Sequence, residues 1–140
     1  MNVYLDIDGV ILGTASPPED VVALLTFLLD HFPRAVYWLT THCRGGCNRT
    51  EEWLRGKVED ALAHRLYREV LPTDWNTLKT EAIDFSVPFL WLDDALLYSE
   101  RKALQDRGAL DNWLVMDKRD PGAAKAALRI IRQRAAAREA

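Results

Sequence analysis

The chain is predicted to fold as an α/β domain, a Rossmann-like three-layer αβα sandwich around a central, mostly parallel sheet. Three observations carry this. Short β-type runs alternate with helical ones along the chain. Val36-Tyr37-Trp38-Leu39 and Phe89-Leu90-Trp91-Leu92 are continuous apolar runs, the pattern of strands covered on both faces. Each β-type run also ends in polar residues, and ligands of open α/β sheets bind beyond the carboxyl ends of the strands.

The elements come in the following order. Asn2 to Ile7 is the first strand. Ser16-Pro17-Pro18-Glu19 reads as a capping box with proline in the first helical turn. The helix it opens places Val21, Leu24, Leu25, Leu28 and Leu29 on one face and stops before Pro33. Ala35 to Thr40 is the second strand, and Thr41 to Cys47 a glycine-rich loop. Asn48-Arg49-Thr50-Glu51 looks like a helix start, with the helix running to about Ala63. Leu66 to Leu71 reads as a short edge strand. Asp74 is expected to cap a helix over Trp75 to Asp84, ending ahead of Pro88. Phe89 to Leu92 is the third strand, followed by a helix over Ala95 to Asp106. Trp113 to Met116 is the last strand. Asp120-Pro121-Gly122 opens the final helix, with Ala124, Ala127, Leu128 and Ile131 facing inward.

Residues 1–140 are expected to form one domain, since this length buries a real core and no linker or repeat interrupts it. With 49% hydrophobic and 28% charged residues, the composition is that of a globular protein rather than a disordered one. No apolar run is long enough to cross a bilayer, so no membrane partner is expected. The N-terminus enters a strand directly, without a basic segment, so no signal peptide is expected and the compartment is read as cytoplasmic. A formal charge of -3 argues against wholesale polyanion binding. The final helix is the exception, with Lys125, Arg129, Arg132, Arg134 and Arg138 against Glu139. Its simplest reading is a solvated basic face, and a phosphate-rich partner is the alternative. Cys43 and Cys47 lack the second ligand pair that zinc needs. In a reducing compartment they are expected as free thiols, although a loop disulfide is geometrically allowed.

The chemistry concentrates at the strand ends. Asp6 and Asp8 close the first strand at i and i+2, spacing that puts two carboxylates on one side, and Gly9 comes directly after. Hard carboxylate oxygens in that position suit Mg²⁺, which keeps company with phosphate. Thr40 and Thr41 end the second strand, Asp93 and Asp94 the third, and Asp117 the last. Four aspartates in one cleft need cationic compensation, and Lys79, 14 residues ahead of Asp93, is the candidate.

The order Asp6-Ile7-Asp8-Gly9-Val10, strand-Thr40, Lys79, strand-Asp93-Asp94 resembles the haloacid dehalogenase superfamily of phosphohydrolases over Met1 to about Tyr98. Trp38-Leu39-Thr40-Thr41-His42 is similar to the capless members found in RNA-repair proteins. The resemblance implies that Asp6 is the nucleophile, forming an aspartyl-phosphate. It implies that Asp8 is the general acid and then the base. Mg²⁺ would sit between Asp6, the backbone carbonyl of Asp8 and Asp94, with Asp93 joining through water. Thr40 would donate to a phosphoryl oxygen and Lys79 would neutralise its charge. Thr41 competes for the threonine role, and Thr40 is preferred because it directly ends the apolar run. His42 and Arg44 are candidates for substrate contact, and Trp75 for stacking on a base, although packing is the simpler reading of that tryptophan.

A two-component receiver domain, which also groups aspartates, a threonine and a lysine, is excluded by the order. There the phosphoacceptor ends a middle strand and the lysine comes after a late one. The 26 residues from Gly9 to Arg34 leave no room for a substantial cap beside one helix. The expectation is therefore a Mg²⁺-dependent phosphatase of a phosphomonoester with an open site, reachable by a bulky phosphorylated substrate such as a nucleic-acid end. The alternative is a catalytically silent phosphate- or nucleic-acid-binding domain on the same scaffold.

Overall fold

The computed structural model describes residues 1–43 and 50–139. Four strands, β1 (Asn2–Leu5), β2 (Val36–Trp38), β3 (Phe89–Asp93) and β4 (Trp113–Val115), form one sheet in the order β2-β1-β3-β4. Every pairing is parallel, with Leu5 opposite Trp38 and Leu92, and Asp93 opposite Val115. Among the described residues five α-helices accompany it: α1 (Pro18–His31), α2 (Thr50–Leu54), α3 (Asp60–Glu69), α4 (Tyr98–Asp106) and α5 (Ala123–Glu139). The fold class is the α/β Rossmann-like sandwich read from the sequence.

Strand parity sorts the core into two layers. Val3, Leu5, Val36, Trp38, Leu90, Leu92 and Leu114 face the side covered by α1, α3 and α5. Tyr4, Phe89 and Trp91 face the other side, with Trp75, Ile83 and Leu104 of α4. Both sides of β3 are thus covered, which is why its sequence is an unbroken apolar run. The α1 face is the expected one: Val21, Leu24, Leu25, Leu28 and Leu29 are all buried. Each such side chain contributes roughly 1.5–3 kcal/mol on leaving water. Ala124, Ala127, Leu128 and Ile131 of α5 are buried as well.

Several local expectations are corrected. Ser16 does not cap α1, whose N-cap is Pro17 without a side-chain bond. The Ser16 hydroxyl instead accepts from the Ala124 N–H at 3.1 Å, at the start of α5 and 108 residues away. A buried hydroxyl takes whichever orphan donor the tertiary packing brings. The helix expected to run to about Ala63 is two helices, broken where Gly56 takes φ +75°. Asn48 and Arg49, expected to open it, lie outside the described residues. Leu66 belongs to α3, and only Leu71 of the expected edge strand pairs, in an isolated bridge to Tyr37. The helix expected over Trp75 to Asp84 is an extended segment with one 3-10 turn, Lys79–Ala82. There the Glu81 carboxylate accepts from the N–H groups of Asn76, Thr77 and Leu78, at 3.1, 3.1 and 2.8 Å. A local side chain satisfying these donors lets the chain stay extended. Helix α4 starts at Tyr98 rather than Ala95.

Cys43 is buried and disulfide-bonded, which corrects the expected free thiol. The fold's part in such a bond is to bring two sulfurs within reach, and an oxidant must then take up the two electrons released. Cys47 lies outside the described residues. Among the described residues no helix is long and apolar enough to cross a membrane.

The Ser16 bond ties the loop after β1 to the opposite end of the sequence. Replacing Ser16 by alanine is expected to lower stability by about 1 kcal/mol, the usual size of a lost helix cap. Urea unfolding measures it, and an unchanged midpoint would show that the bond is redundant.

Candidate functional site

The register of the sheet builds the site. Leu5 sits opposite Leu92, so Asp6 comes to lie beside Asp93, and the Asp6 N–H donates to the Leu92 carbonyl at 3.1 Å. Asp6 shares the parity of Tyr4, and Asp93 that of Trp91, so both are aligned with the layer that contains the segment around Lys79. The Lys79 ammonium lies 2.6 Å from Asp93 Oδ2 and 3.4 Å from Asp6 Oδ2, and all three side chains are almost buried. The Lys79 backbone is held in turn, its N–H donating to Glu100 Oε2 at 2.9 Å. Glu100 Oε1 accepts from the Leu97 N–H at 3.0 Å, so one buried carboxylate joins the Lys79 turn to the start of α4.

Asp94 completes a group of three: Asp6, Asp93 and Asp94 each offer an oxygen within 4.8 Å of the others. Its carboxylate is close to Gly9, which takes φ +82°. A Cβ on Gly9 would stand 2.7 Å from Asp94 Cγ and Oδ2, so only glycine leaves room for this carboxylate.

Asp8 departs from expectation. The strand ends at Leu5, and the chain then folds so that the Ile7 carbonyl meets the N–H groups of Val10, Ile11 and Leu12, at 3.3, 2.9 and 3.1 Å. The same-side rule for i and i+2 lapses in this turn. The Asp8 carboxylate is more than half exposed and bonded to His42 Nε2 at 3.1 Å, outside the group of Asp6, Asp93 and Asp94.

Thr40 is fully buried, and its Oγ1 accepts from the His42 N–H at 3.4 Å. Thr41, not Thr40, lines the cleft of about 320 Å³ together with Asp6, Asp8, Lys79, Asp93 and Asp94. Of these two threonines past β2, the first turns into the protein and the second turns out. Trp75 also borders the cleft but is buried, its Nε1–H donating to the Thr40 carbonyl at 3.2 Å, so it braces the strand end. Asp117 accepts from the Arg119 N–H and is not among the grouped carboxylates. Arg44 lies outside the described residues. The sequence reading missed Glu100; its signal was a glutamate three residues after Leu97, the third position of α4.

The electrostatics are those of crowded carboxylates. Burial, and next the neighbouring Asp6 carboxylate, push the Asp93 carboxyl up to about 8, against the opposing pull of Lys79. Burial alone would lower Lys79, but Asp93 and Asp6 outweigh it and hold the ammonium above its ordinary value. One lysine therefore does not compensate the whole group. The donor set is all carboxylate, close-set and partly open to the cleft, which fits a hard divalent cation such as Mg²⁺.

This geometry has two measurable consequences. Alanine at Gly9 is expected to weaken Mn²⁺ or Mg²⁺ binding by about tenfold or more, by displacing Asp94, and calorimetric titration reads it. In metal-free buffer the raised Asp93 value makes the folded protein hold a proton that the unfolded chain has lost, so stability falls as pH rises between about 4 and 8. The melting temperature should drop by several degrees over that range, roughly 2–4 °C per kcal/mol, and saturating Mg²⁺ should flatten the slope. Comparison with family models, curated proteins and solved structures finds no match to this chain.

Proposed function

We propose that this chain is a Mg²⁺-dependent phosphatase of the haloacid dehalogenase type, hydrolysing a phosphomonoester through an aspartyl-phosphate on Asp6. The observation that carries this reading is the placement of Lys79 at 3.4 Å from Asp6 and 2.6 Å from Asp93, beside a cleft also lined by Asp8, Thr41 and Asp94. A buried carboxylate next to a buried ammonium is suited to attack an anionic phosphoryl group, because the ammonium offsets the repulsion between them.

In this reading an Asp6 oxygen forms the bond to phosphorus as the bond to the leaving oxygen breaks. The electron pair stays on the leaving oxygen, which takes a proton from Asp8. Asp8 then accepts a proton from water as the water oxygen attacks phosphorus and the Asp6–phosphorus bond breaks. Lys79 holds charge on the phosphoryl oxygens throughout. Thr41, which lines the cleft, takes the donor role that the sequence reading preferred for Thr40. Asp6, Asp93 and Asp94 would hold Mg²⁺, which supplies further positive charge against the phosphoryl oxygens when bound. Between β1 and β2 the only helix is α1, which packs on the face of the sheet opposite the segment around Lys79, so a bulky substrate remains compatible.

The test is phosphate release with and without Mg²⁺ from sugar phosphates, nucleotides and phosphorylated oligonucleotides. Asp6→Asn is expected to remove activity by about a thousandfold or more, and Lys79→Ala by about a hundredfold. Metal-independent release, or substantial activity in folded Asp6→Asn, would overturn the assignment. Silence across the panel from folded wild type would favour a phosphate-binding role.

A further inference from the structure

We infer that His42, braced by Trp53, is the positioning residue for Asp8, and that the site is thereby adapted to phosphate esters of weakly acidic alcohols. The inference rests on the phosphatase reading above. Its starting point is a mismatch of exposure. The Asp8 side chain is 57% exposed, whereas His42 is 20% exposed. An isolated exposed carboxylate pair is worth little, because holding two mobile side chains in one geometry offsets the attraction. Here one partner is already fixed. The His42 ring lies 4.5 Å from the Trp53 ring, and Trp53 also meets the Lys57 ammonium, 3.7 Å from its ring centre. The His42 backbone N–H is bonded to Thr40 Oγ1, and the residue sits in the 3-10 turn Thr41–Cys43. Lys57, Trp53, His42 and Asp8 therefore form a continuous column ending at the cleft.

The chemistry of the contact assigns the roles of the atoms. Asp8 keeps Oδ2 as an acceptor both as the carboxylate and as the acid with its proton on Oδ1, so in this reading His42 takes the Nε2–H form, donating to Asp8 Oδ2. With Oδ2 occupied, Oδ1 is the oxygen free to carry the proton passed to the leaving alcohol. A leaving aryloxide that is stable as an anion has little need of that proton, whereas an alkoxide must receive it as the bond to phosphorus breaks. In the first step, departure of the leaving group, support for Asp8 matters only for the second class, such as phosphates on sugar hydroxyls; the later attack of water is common to both.

The experiment compares para-nitrophenyl phosphate with glycerol phosphate in the Mg²⁺-loaded chain. His42→Ala is expected to lower kcat/KM, which reports the first step, on glycerol phosphate by about 10–100-fold and on the aryl ester by no more than about threefold. Trp53→Ala should show the same split at about 5–10-fold, and Trp53→Phe, which keeps a ring against His42, should recover most of it. Equal losses on the two esters, or none, overturn the positioning role while leaving the phosphatase reading in place. Wild type inactive on both esters and on the wider panel of phosphate esters overturns that reading instead. Nitrogen NMR of the histidine rings gives a readout free of catalysis. The Nε2–H form of His42 is expected, with its resonance moved by Asp8→Ala, and an Nδ1–H form overturns the inference.

Discussion

The buried contact of Lys79 with Asp93 and Asp6 is the interaction on which the cleft depends. Parallel pairing of β1 with β3 places two strand-end carboxylates side by side, and neither has water enough to relieve the repulsion. Removing one partner from such a buried set leaves an uncompensated charge, and that is the costly change, of the order of 3–5 kcal/mol. The lysine reaches the pair because the second core layer docks its segment against the sheet. Trp75 and Ile83 pack with Tyr4 and Trp91 on either side of the turn, and the Asp84 N–H donates to the Tyr4 hydroxyl at 2.9 Å. Glu100 then fixes the Lys79 backbone to α4. Packing on one face of the sheet thus becomes charge placement at its edge.

A second group of constraints acts through the turn after β1. The Ile7 carbonyl gathers three N–H groups, and Gly9 takes a backbone conformation that also leaves room for Asp94. This separates Asp8 from Asp6. One carboxylate is buried with Lys79 and the other reaches His42 at the mouth of the cleft. Two aspartates two positions apart thereby occupy different environments, as the proposed roles of nucleophile and proton carrier require. The loop is anchored from outside as well, by the Ala15 N–H on the Lys118 carbonyl at 2.7 Å and by Ser16 on α5.

Legibility differed sharply between strands and loops. The strands were legible because a run such as Phe89-Leu90-Trp91-Leu92 has few other places to go, and the inward face of α1 came directly from its helical spacing. Asp6, Asp93, Asp94 and Lys79 were singled out from their places at or before strand ends, and the register brings them together. The path of the chain around Lys79 was not legible. Asp74 ahead of polar and apolar residues imitates a helix start, whereas the N–H groups of Asn76, Thr77 and Leu78 go to Glu81. Ser16 looked like a local cap for the same reason: short-range pattern shows that a donor or acceptor exists, not which partner it meets.

By itself the sequence determined the α/β class, the positions of the four sheet strands to within two residues, though not the absence of a strand at Leu66, and the residue types available for phosphate and metal chemistry, since these depend on local apolar runs and on the polar residues that end them. Tertiary structure decided which of those side chains share a space. Thr41 rather than Thr40 faces the cleft, Asp8 meets His42 instead of joining the acidic group, and Glu100 holds the lysine turn. The physical reason is that side-chain direction beyond a strand end is set by backbone turns and by partners tens of residues distant. Neither leaves a periodic trace in the chain.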